Sequence, residues 1–215
     1  MGRLFRIALL VTGIAAAYAG VRYAAAWREE RRRKNVFPAS EARFLLQPLR
    51  HVVMPVRRTL KRFQVGPGQT VLEVGPGPGY YTLEAASMIG PTGRLLCLDI
   101  QRGMLDILRD RLAERGVANV DLIVADAAHV PLKGASVGIA FLVTVLGEVP
   151  RPEAALRELR RVLRDGGNLG FSESFGDPDY VRAGTLRAMC GEAGFREEGH
   201  WREILGYTSR FVAAG

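Results

Sequence analysis

The fold of this chain is decided by Val71-Leu72-Glu73-Val74-Gly75-Pro76-Gly77-Pro78-Gly79-Tyr80-Tyr81-Thr82. An apolar, strand-like run ends in a turn with glycine at three alternate positions, and a helix-like pattern follows it. Such a turn presents bare backbone N–H groups at the start of the next helix, and the missing Cβ atoms let a ligand approach the main chain. The stretch therefore predicts a ligand site between a first strand and a first helix.

The spacing of these glycines argues against a dinucleotide site. The dinucleotide fingerprint is G-x-G-x-x-G, whereas Tyr80 stands three residues after Gly77 and the third glycine comes one residue early, at Gly79. Glu73 lies two residues before Gly75, where it would repel a pyrophosphate but tolerate a cationic amino-acid tail. The pattern E-x-G-x-G-x-G resembles the first motif of the class I S-adenosylmethionine-dependent methyltransferases.

Two further acidic residues follow apolar runs. Asp99 ends the run that begins at Arg94, and a carboxylate at the end of a second strand can accept both hydrogen bonds of a ribose diol. Asp126 is expected to end a third strand within residues 120–127. Either acid alone is as consistent with a helix cap as with a ligand site. Together with the glycine turn, the order of the three motifs favours a cofactor site.

The resemblance covers about residues 64–215. Within the family, the chain looks most like the subgroup that includes the quinone-biosynthesis and similar small-molecule methyltransferases. The resemblance implies that Asp126 binds the adenine amino group, that the next backbone N–H meets a ring nitrogen, and that Ile100 and Met104 flank the ring. It also implies S-adenosylmethionine as the cofactor. The residues expected to bind it are Glu73, Gly75, Gly77, Gly79, Asp99, Ile100, Met104, Asp126 and Ala127.

The remaining sequence predicts an α/β domain with a doubly wound, Rossmann-like, seven-stranded sheet. Apolar runs and helix-like segments alternate, which indicates a parallel sheet covered on both faces. Helices are expected at 81–89, 101–115, 152–163 and 180–193, and the last four strands within 136–146, 168–173, 196–202 and 205–213. Similar methyltransferases end with an antiparallel last strand, and residues 196–213 fit that arrangement.

Charge is distributed unevenly along the chain. The formal net charge is +8, but residues 1–63 hold 14 Lys or Arg against 3 Glu, and the remainder holds 16 against 19 acidic residues. A nucleic-acid enzyme usually carries its basic residues around the cleft, so a nucleic-acid partner is not expected. Cys97 and Cys190 lack spaced partners, so they are predicted to be buried free thiols, and no metal site is expected.

The N-terminal residues predict a membrane helix. Residues 7–21 contain no charge, and the apolar segment extends to Trp27 if Arg22 snorkels, which gives about 20 residues. The basic cluster within 28–34 predicts a cytoplasmic location for the following domain. A helix lying on the membrane and a cleaved signal peptide at Ala24-Ala25-Ala26 are the alternatives. The expected organisation is an anchor with a basic collar at 1–34, a helical bridge at 35–63 and a methyltransferase domain at 64–215.

The bridge has an apolar and a basic side. Pro38, Pro48 and Pro55 divide it into short helices, and it is expected either to pack across the sheet or to form an active-site lid. No catalytic residue can be assigned from the sequence. Glu148, Glu173 and Tyr207 are candidates for a base.

The sequence thus predicts a membrane-anchored methyltransferase that acts on a small, lipophilic acceptor: a quinone precursor, a phospholipid head group or a thiol. The acceptor segment at 141–148 lacks the asparagine or histidine that related small-molecule enzymes carry there, so the acceptor chemistry stays open. A cofactor-binding membrane adaptor without catalysis is one alternative. A nicotinamide-dependent oxidoreductase is another, and Gly79 and Tyr80 disfavour it. The oligomeric state is left open.

Overall fold

A computed structural model describes residues 55–214 of the chain. The predicted membrane helix, the basic collar and most of the bridge lie outside these residues. Within residues 55–214, no helix combines the length and the apolar character needed to cross a bilayer.

The described residues form five α-helices and seven strands in an alternating order. The helices are α1 (Val56–Arg62), α2 (Thr82–Ile89), α3 (Arg102–Glu114), α4 (Pro152–Val162) and α5 (Ala183–Glu192). The strands are β1 (Thr70–Val74), β2 (Arg94–Asp99), β3 (Val120–Val124), β4 (Val137–Val143), β5 (Leu163–Ser174), β6 (Phe195–Glu203) and β7 (Gly206–Ala213). A single 3₁₀ turn, Leu146–Glu148, follows β4.

All seven strands belong to one sheet in the order β3-β2-β1-β4-β5-β7-β6. The pairs from β3 to β5 are parallel, whereas β7 is antiparallel to both β5 and β6. The last strand is antiparallel because only Ile204 and Leu205 separate it from β6, too few residues for a crossover. The seven-stranded, Rossmann-like sheet and its antiparallel last strand confirm the prediction.

Side chains of alternate strand residues build a core on each face of the sheet. Leu72 and Leu142 face α4 and α5, while Val71 and Phe141 face α1, α2 and α3. This period of two, with an apolar residue at nearly every position of β1 and β4, is what a parallel sheet buried on both faces requires. The carboxyl ends of β1, β2 and β4 therefore meet at one open edge, where ligands of such sheets bind.

Helix α1 is the part of the bridge that the structure describes, and it packs across the sheet. Val56, Leu60 and the following Phe63 are buried, whereas Arg57 and Arg58 are exposed. The Phe63 ring stacks on Phe141 with a centroid separation of 5.8 Å. It fills the space above Gly170, where any Cβ would overlap with the ring. The packing interpretation of the bridge holds for this helix.

Three boundaries differ from the sequence predictions. Strand β3 ends at Val124, so Asp126 lies in the following turn rather than in the strand. Helix α5 begins at Ala183 instead of residue 180, because residues 175–182 form an irregular segment after β5. Strand β5 begins at Leu163, directly after α4, with an irregularity in its pairing to β4 before Ile139. The first of these differences changes how an expected site residue is held.

Candidate active site

The glycine turn joins the carboxyl end of β1 to α2. Gly75, Gly77 and Gly79 have φ values of +68°, +54° and +84°, in the left-handed region that other residues rarely adopt. The N–H of Gly75 donates to the Leu98 carbonyl at 2.8 Å, which ties the turn to the end of β2.

The turn also requires two of its glycines for contacts within the protein. A Cβ on Gly75 would lie 2.5 Å from Val145 Cγ2, and one on Gly79 would overlap with Leu108. The glycine pattern, interpreted from sequence as room for a ligand, therefore also makes room for these two neighbouring side chains.

Glu73 lies beneath the turn and is almost completely buried. Its Oε2 accepts hydrogen bonds from the Thr82 hydroxyl at 2.7 Å and from the Cys97 thiol at 3.6 Å. Burial raises its pKa from 4.5 to about 7, although the bonds from Thr82 and Cys97 oppose that shift. A cation bound at the turn would favour the carboxylate form, so Glu73 suits a positively charged ligand.

Asp99 ends β2 and is 7% exposed. Its Oδ1 accepts from the N–H of Gln101 at 2.9 Å, and its Oδ2 lies 3.4 Å from the N–H of Gly77. Burial raises the pKa of this carboxyl, against the lowering effect of these backbone donors. Asp99 is thus both a local turn residue at the start of α3 and the carboxylate that faces the glycine turn.

Asp126 is held in the turn after β3. Its Oδ1 accepts from the N–H of Ala128 at 2.8 Å, and its Oδ2 accepts from Arg151 at 2.9 Å. The Ala128 bond is the main reason that the pKa of Asp126 is lowered, and the Arg151 guanidinium adds to it. A ligand amino group would share this carboxylate with Arg151, a partner that the sequence did not indicate.

The remaining expected cofactor residues lie near the same edge with different exposures. Ile100 is 53% exposed directly after β2, Met104 is 2% exposed on the buried side of α3, and Ala127 is buried in the turn that follows Asp126. Ile100 presents a free apolar surface to a ligand, whereas Met104 lies beneath it. Their assignment as the two walls of an adenine site stays a prediction.

The segment after β4 carries features that the sequence analysis did not single out. Thr144 has a φ of +52°, an uncommon and strained value for a β-branched residue, and such strain concentrates at functional sites. A Cβ on Gly147 would overlap with the backbone carbonyl of Asp179. The turn after β4 therefore packs against the irregular segment after β5; these two segments, here called the cover, follow the carboxyl ends of β4 and β5. In the sequence, the glycine at position 147 was the available signal of this close backbone contact.

Glu173 lies near the end of β5 beneath this cover and is 3% exposed. Its Oε2 accepts from the N–H of Val181 at 3.3 Å, while its Oε1 is buried with no hydrogen-bond partner among the described residues. Burial raises its pKa from 4.5 to about 8, and the Asp177 carboxylate adds to the shift. A buried acid with one unsatisfied oxygen is costly to a fold, which points to a functional role.

The other two candidate bases are placed less favourably. The Tyr207 hydroxyl donates to the Val181 carbonyl at 2.7 Å, and burial raises its pKa far above the ordinary range, so it stays protonated. Glu148 is half-buried at the end of the 3₁₀ turn. Cys97 and Cys190 are buried free thiols, as the sequence predicted. Glu173 is the candidate that we favour, because its surroundings clearly raise the pKa of its carboxyl group.

Comparison with known proteins agrees with this geometry. Residues 71–167, from β1 to the start of β5, match the family described as a methyltransferase domain. They form a class I methyltransferase domain. S-adenosylmethionine is the cofactor that this family implies.

Among curated proteins, the chain is similar to the ubiquinone/menaquinone biosynthesis C-methyltransferase UbiE of Ectopseudomonas mendocina. The two are 40% identical over 114 residues, which are 53% of this chain and 44% of the relative. An arsenite methyltransferase of Halobacterium salinarum is 30% identical over 149 residues, which cover 61% of this chain and 38% of that protein. The chain thus spans about half or less of the length of these relatives.

Solved structures share the fold. A SAM-dependent methyltransferase from Aquifex aeolicus superposes with a TM-score of 0.79 at 22% identity, covering 83% of this chain and all of that one. The [4+2]-cyclase SpnF superposes with a TM-score of 0.67 at 18% identity, covering 74% and 80%. A likeness to proteins that are named for such different reactions shows the fold and leaves the reaction to the site.

The residues present fit the implied cofactor. S-adenosylmethionine carries two cations, a ribose diol and an adenine amino group. The edge of the sheet offers a buried acid at Glu73, a strand-end carboxylate at Asp99 and a turn carboxylate at Asp126. The pKa values of the first two carboxyls are raised, and neither of them pairs with a cation within the described residues. A cationic group near Glu73 and hydrogen-bond donors at Asp99 would therefore compensate their burial.

Proposed function

We propose that the chain is a membrane-associated methyltransferase that methylates a ring carbon of a small, lipophilic acceptor of the quinone-precursor type. The observation that carries the cofactor part is the approach of the Asp99 carboxylate to the N–H of Gly77, which joins the ends of β1 and β2 in one site. The acceptor part is supported by the similarity to a UbiE C-methyltransferase and by the apolar N-terminal run. Phospholipid head groups and thiols are the competing acceptors.

S-adenosylmethionine, when bound, supplies a methyl group on a cationic sulfur with a neutral thioether as leaving group. The protein has to hold an acceptor in line with this group and keep water out. The packed turns at Gly147 and Asp179 provide that cover over the end of the sheet. At the other side of the site, Glu73 would supply negative charge near the cation and Asp99 would accept hydrogen bonds from the ribose hydroxyls.

Methylation at a ring carbon also requires that a ring hydroxyl lose its proton, because the phenolate pushes electron density to the attacked carbon. We assign the acceptance of this proton to Glu173, whose free Oε1 lies beneath the cover at the end of β5. Tyr180 and Tyr207 stand beside it, and the pKa of each is raised in part by Glu173. In its carboxylate form, Glu173 takes the hydroxyl proton and becomes a neutral acid. Once the methyl group has bonded to the ring carbon, that carbon loses its hydrogen as a proton to solvent, which restores the aromatic ring, and Glu173 returns its proton to the ring oxygen.

The test is transfer of label by the full-length protein. The protein is incubated with methyl-labelled S-adenosylmethionine and with either a membrane-lipid extract or a cytosolic extract of the host. Label in the lipid fraction is expected, and it should disappear in Asp99→Ala. Asp106→Ala is the matched control, because Asp106 is an exposed aspartate of α3 paired only with Arg109 in the described part of the chain.

The other outcomes distinguish the alternatives. Label found only in the soluble fraction would contradict the lipophilic acceptor while keeping the transferase. Tight cofactor binding without transfer to either extract would favour an adaptor. Binding of NAD in place of S-adenosylmethionine would favour an oxidoreductase and overturn the cofactor assignment.

A further inference from the structure

The turn between β6 and β7 exposes apolar side chains at its tip. Ile204 is 96% exposed and Leu205 is 47% exposed. Phe175, the first residue after β5, is 52% exposed, and its N–H donates to the Leu205 carbonyl at 2.9 Å. These three residues are neighbours through this backbone bond and are here called the apolar tip; the Phe175 ring also packs on Tyr180, with ring centroids 5.1 Å apart. A hairpin turn is ordinarily polar, so an almost fully exposed isoleucine there calls for an explanation.

Three arginines, Arg58, Arg62 and Arg202, lie near the apolar tip, against the two carboxylates of Glu203 and Asp177. Glu203, the residue before Ile204, pairs with Arg58 at 2.7 Å and with Arg62, so two cations of α1 meet one carboxylate beside the tip. Arg202 is exposed on the same turn. This local excess of cations is complementary to an anionic surface, and Arg58 is itself 56% exposed.

The apolar tip lies at the edge of the sheet that holds the candidate active site. Phe175 follows the carboxyl end of β5, two residues after Glu173, and Gly206 of β7 pairs with Ser174. Pro55, the first described residue, lines a cavity together with Leu205. The 54 residues that precede it in the chain hold 10 Lys or Arg against 3 Glu and contain the uncharged run at 7–21. A basic and partly apolar segment of this composition suits an anionic lipid surface.

We propose that the apolar tip inserts into the head-group region of an anionic bilayer, so that the carboxyl edge of the sheet faces the membrane. Apolar side chains enter the interface while neighbouring arginines meet anionic head groups, which is how monotopic surfaces bind. A second copy of the chain is a poorer occupant, because three side chains offer far less area than a stable dimer buries. The inference rests on the proposed function, because the role of this docking is to let a lipophilic acceptor reach the site without crossing water.

The test measures insertion of the tip directly and does not depend on activity. Full-length Ile204→Cys is labelled with an environment-sensitive fluorophore and bound to phosphatidylcholine vesicles with about 30% phosphatidylglycerol and spin-labelled lipid. The native cysteines are both buried, so unmodified protein serves as the blank. The control is Lys133→Cys, an exposed position just before β4, at the opposite edge of the sheet. We expect several-fold stronger quenching and a blue shift at 204 relative to 133.

Each other result contradicts the proposal. Equal, weak quenching at 204 and 133 on protein that sediments with the vesicles would show that only another part of the chain binds lipid. A blue shift at 204 without vesicles would show that the protein itself covers the tip, and dependence of this shift on protein concentration would identify a second copy. Because the label-transfer assay reports activity separately, failure of the docking surface and failure of the proposed function are distinguishable.

A paired substitution connects the surface to turnover. Ile204→Asp with Leu205→Asp should lower turnover of a bilayer-embedded acceptor about tenfold or more and leave turnover of the same acceptor in detergent unchanged. An equal loss in both assays would indicate damage to the fold and contradict the docking role. Lys133→Asp, tested in parallel, should change neither rate.

Discussion

At the scale of single residues, the candidate site combines left-handed glycines with acids whose protonation depends on burial. Gly75 and Gly79 are constrained twice, by positive φ and by side chains that occupy the space of a Cβ. Glu73 and Glu173 are buried carboxyls with raised pKa values. Glu73 lies under the glycine turn, and Glu173 lies under the segments that follow β4 and β5. The two ends of the site are therefore separately testable by single substitutions.

Gly75→Ala should destabilise the protein by about 2–4 kcal/mol, because backbone strain of about 1 kcal/mol adds to the overpacking cost of the clash with Val145. Gly116→Ala isolates the strain, since Gly116 has a similar φ of +62° and no atom within 4 Å of its Cβ position. The measurement is the free energy of unfolding in urea. Equal losses in the two variants would show that the Val145 contact does not matter.

Glu73→Gln should remove part of the pH dependence of stability in the cofactor-free protein; Glu173, whose pKa is raised to about 8, contributes a loss of the same sign over the same pH range. The folded-state pKa of Glu73 is raised from 4.5 to about 7, so the folded state holds a proton that the unfolded state releases. Stability from this group is complete below pH 4.5 and is lost as the pH rises to about 7, by about 3 kcal/mol. Thermal unfolding from pH 4 to 8 measures it.

The control is Glu158→Gln. The pKa of Glu158 is lowered, chiefly by the hydrogen bond from Arg161, so its contribution to stability has the opposite sign. The wild-type loss of stability between pH 4.5 and 7 should persist in Glu158→Gln. In Glu73→Gln the loss should be smaller by about 3 kcal/mol, and Glu173 and Asp99, whose pKa values are also raised, account for the loss that remains. An undiminished loss would mean that Glu73 does not contribute to it.

Glu173→Gln should lower turnover by about 10²–10⁴-fold, the range for loss of a general base, while cofactor affinity is retained. In the wild type, turnover should rise with pH until about 8, where Glu173 becomes ionised. Asp177 faces the same group and raises its pKa further, whereas Tyr180 and Tyr207 have their own pKa values raised by Glu173. If the pH profile survived in Glu173→Gln and vanished in Glu148→Gln, the base would be Glu148.

At the scale of elements, the position of α1 shows how a short basic helix becomes part of the core. Seven residues are too few for a stable isolated helix, and its exposed side carries Arg57 and Arg58. The helix is held by its apolar side, with Phe63 stacked on Phe141 above a glycine of β5.

Phe63→Ala should destabilise the protein by about 3–5 kcal/mol, as for a fully buried aromatic side chain. Phe63 has no exposed surface, and its removal leaves the space above Gly170 empty. Arg57→Ala is the control on the same element: its ion pair with Glu84 is exposed and should contribute less than about 1 kcal/mol. Denaturant unfolding of the full chain is the measurement, and equal effects would contradict the docking of α1.

At the scale of the whole molecule, the sheet order places the glycine turn, the three acids and the segments after β4 and β5 at the edge formed by the carboxyl ends of the parallel strands. The three acids come from segments 26 and 27 residues apart along the chain, and the parallel order β3-β2-β1 makes them neighbours. Residues 64–215 carry slightly more acidic than basic residues, while residues 1–63 are strongly basic. Because the three acids come from segments joined in one sheet, binding of the cofactor should stabilise the whole domain against unfolding.

S-adenosylmethionine at 100 times its dissociation constant should stabilise the folded domain by about 2.7 kcal/mol. For a chain of this size that corresponds to a rise in Tm of about 5–10 °C. Asp99→Ala should abolish the shift, and Asp106→Ala should preserve it. A shift that survived in Asp99→Ala would place the cofactor elsewhere.

The sequence by itself determined the fold class, the seven strands and the cofactor motifs. Those properties are local: alternating apolar residues, glycine spacing and strand-end acids are visible within a dozen residues. It also predicted Cys97 and Cys190 as buried thiols, but its third strand was two residues too long at Asp126, since a turn carboxylate bonding its own backbone resembles a strand end.

Only the tertiary structure decided which residues share the site's walls. The contacts of Gly75 with Val145 and of Gly147 with Asp179, and the pairing of Asp126 with Arg151, join residues 25 to 70 positions apart. The burial of Glu173 beneath the segment after β5 and the exposure of Ile204 likewise follow from packing. No local pattern reports such contacts, because burial and pKa depend on what the rest of the chain brings into place.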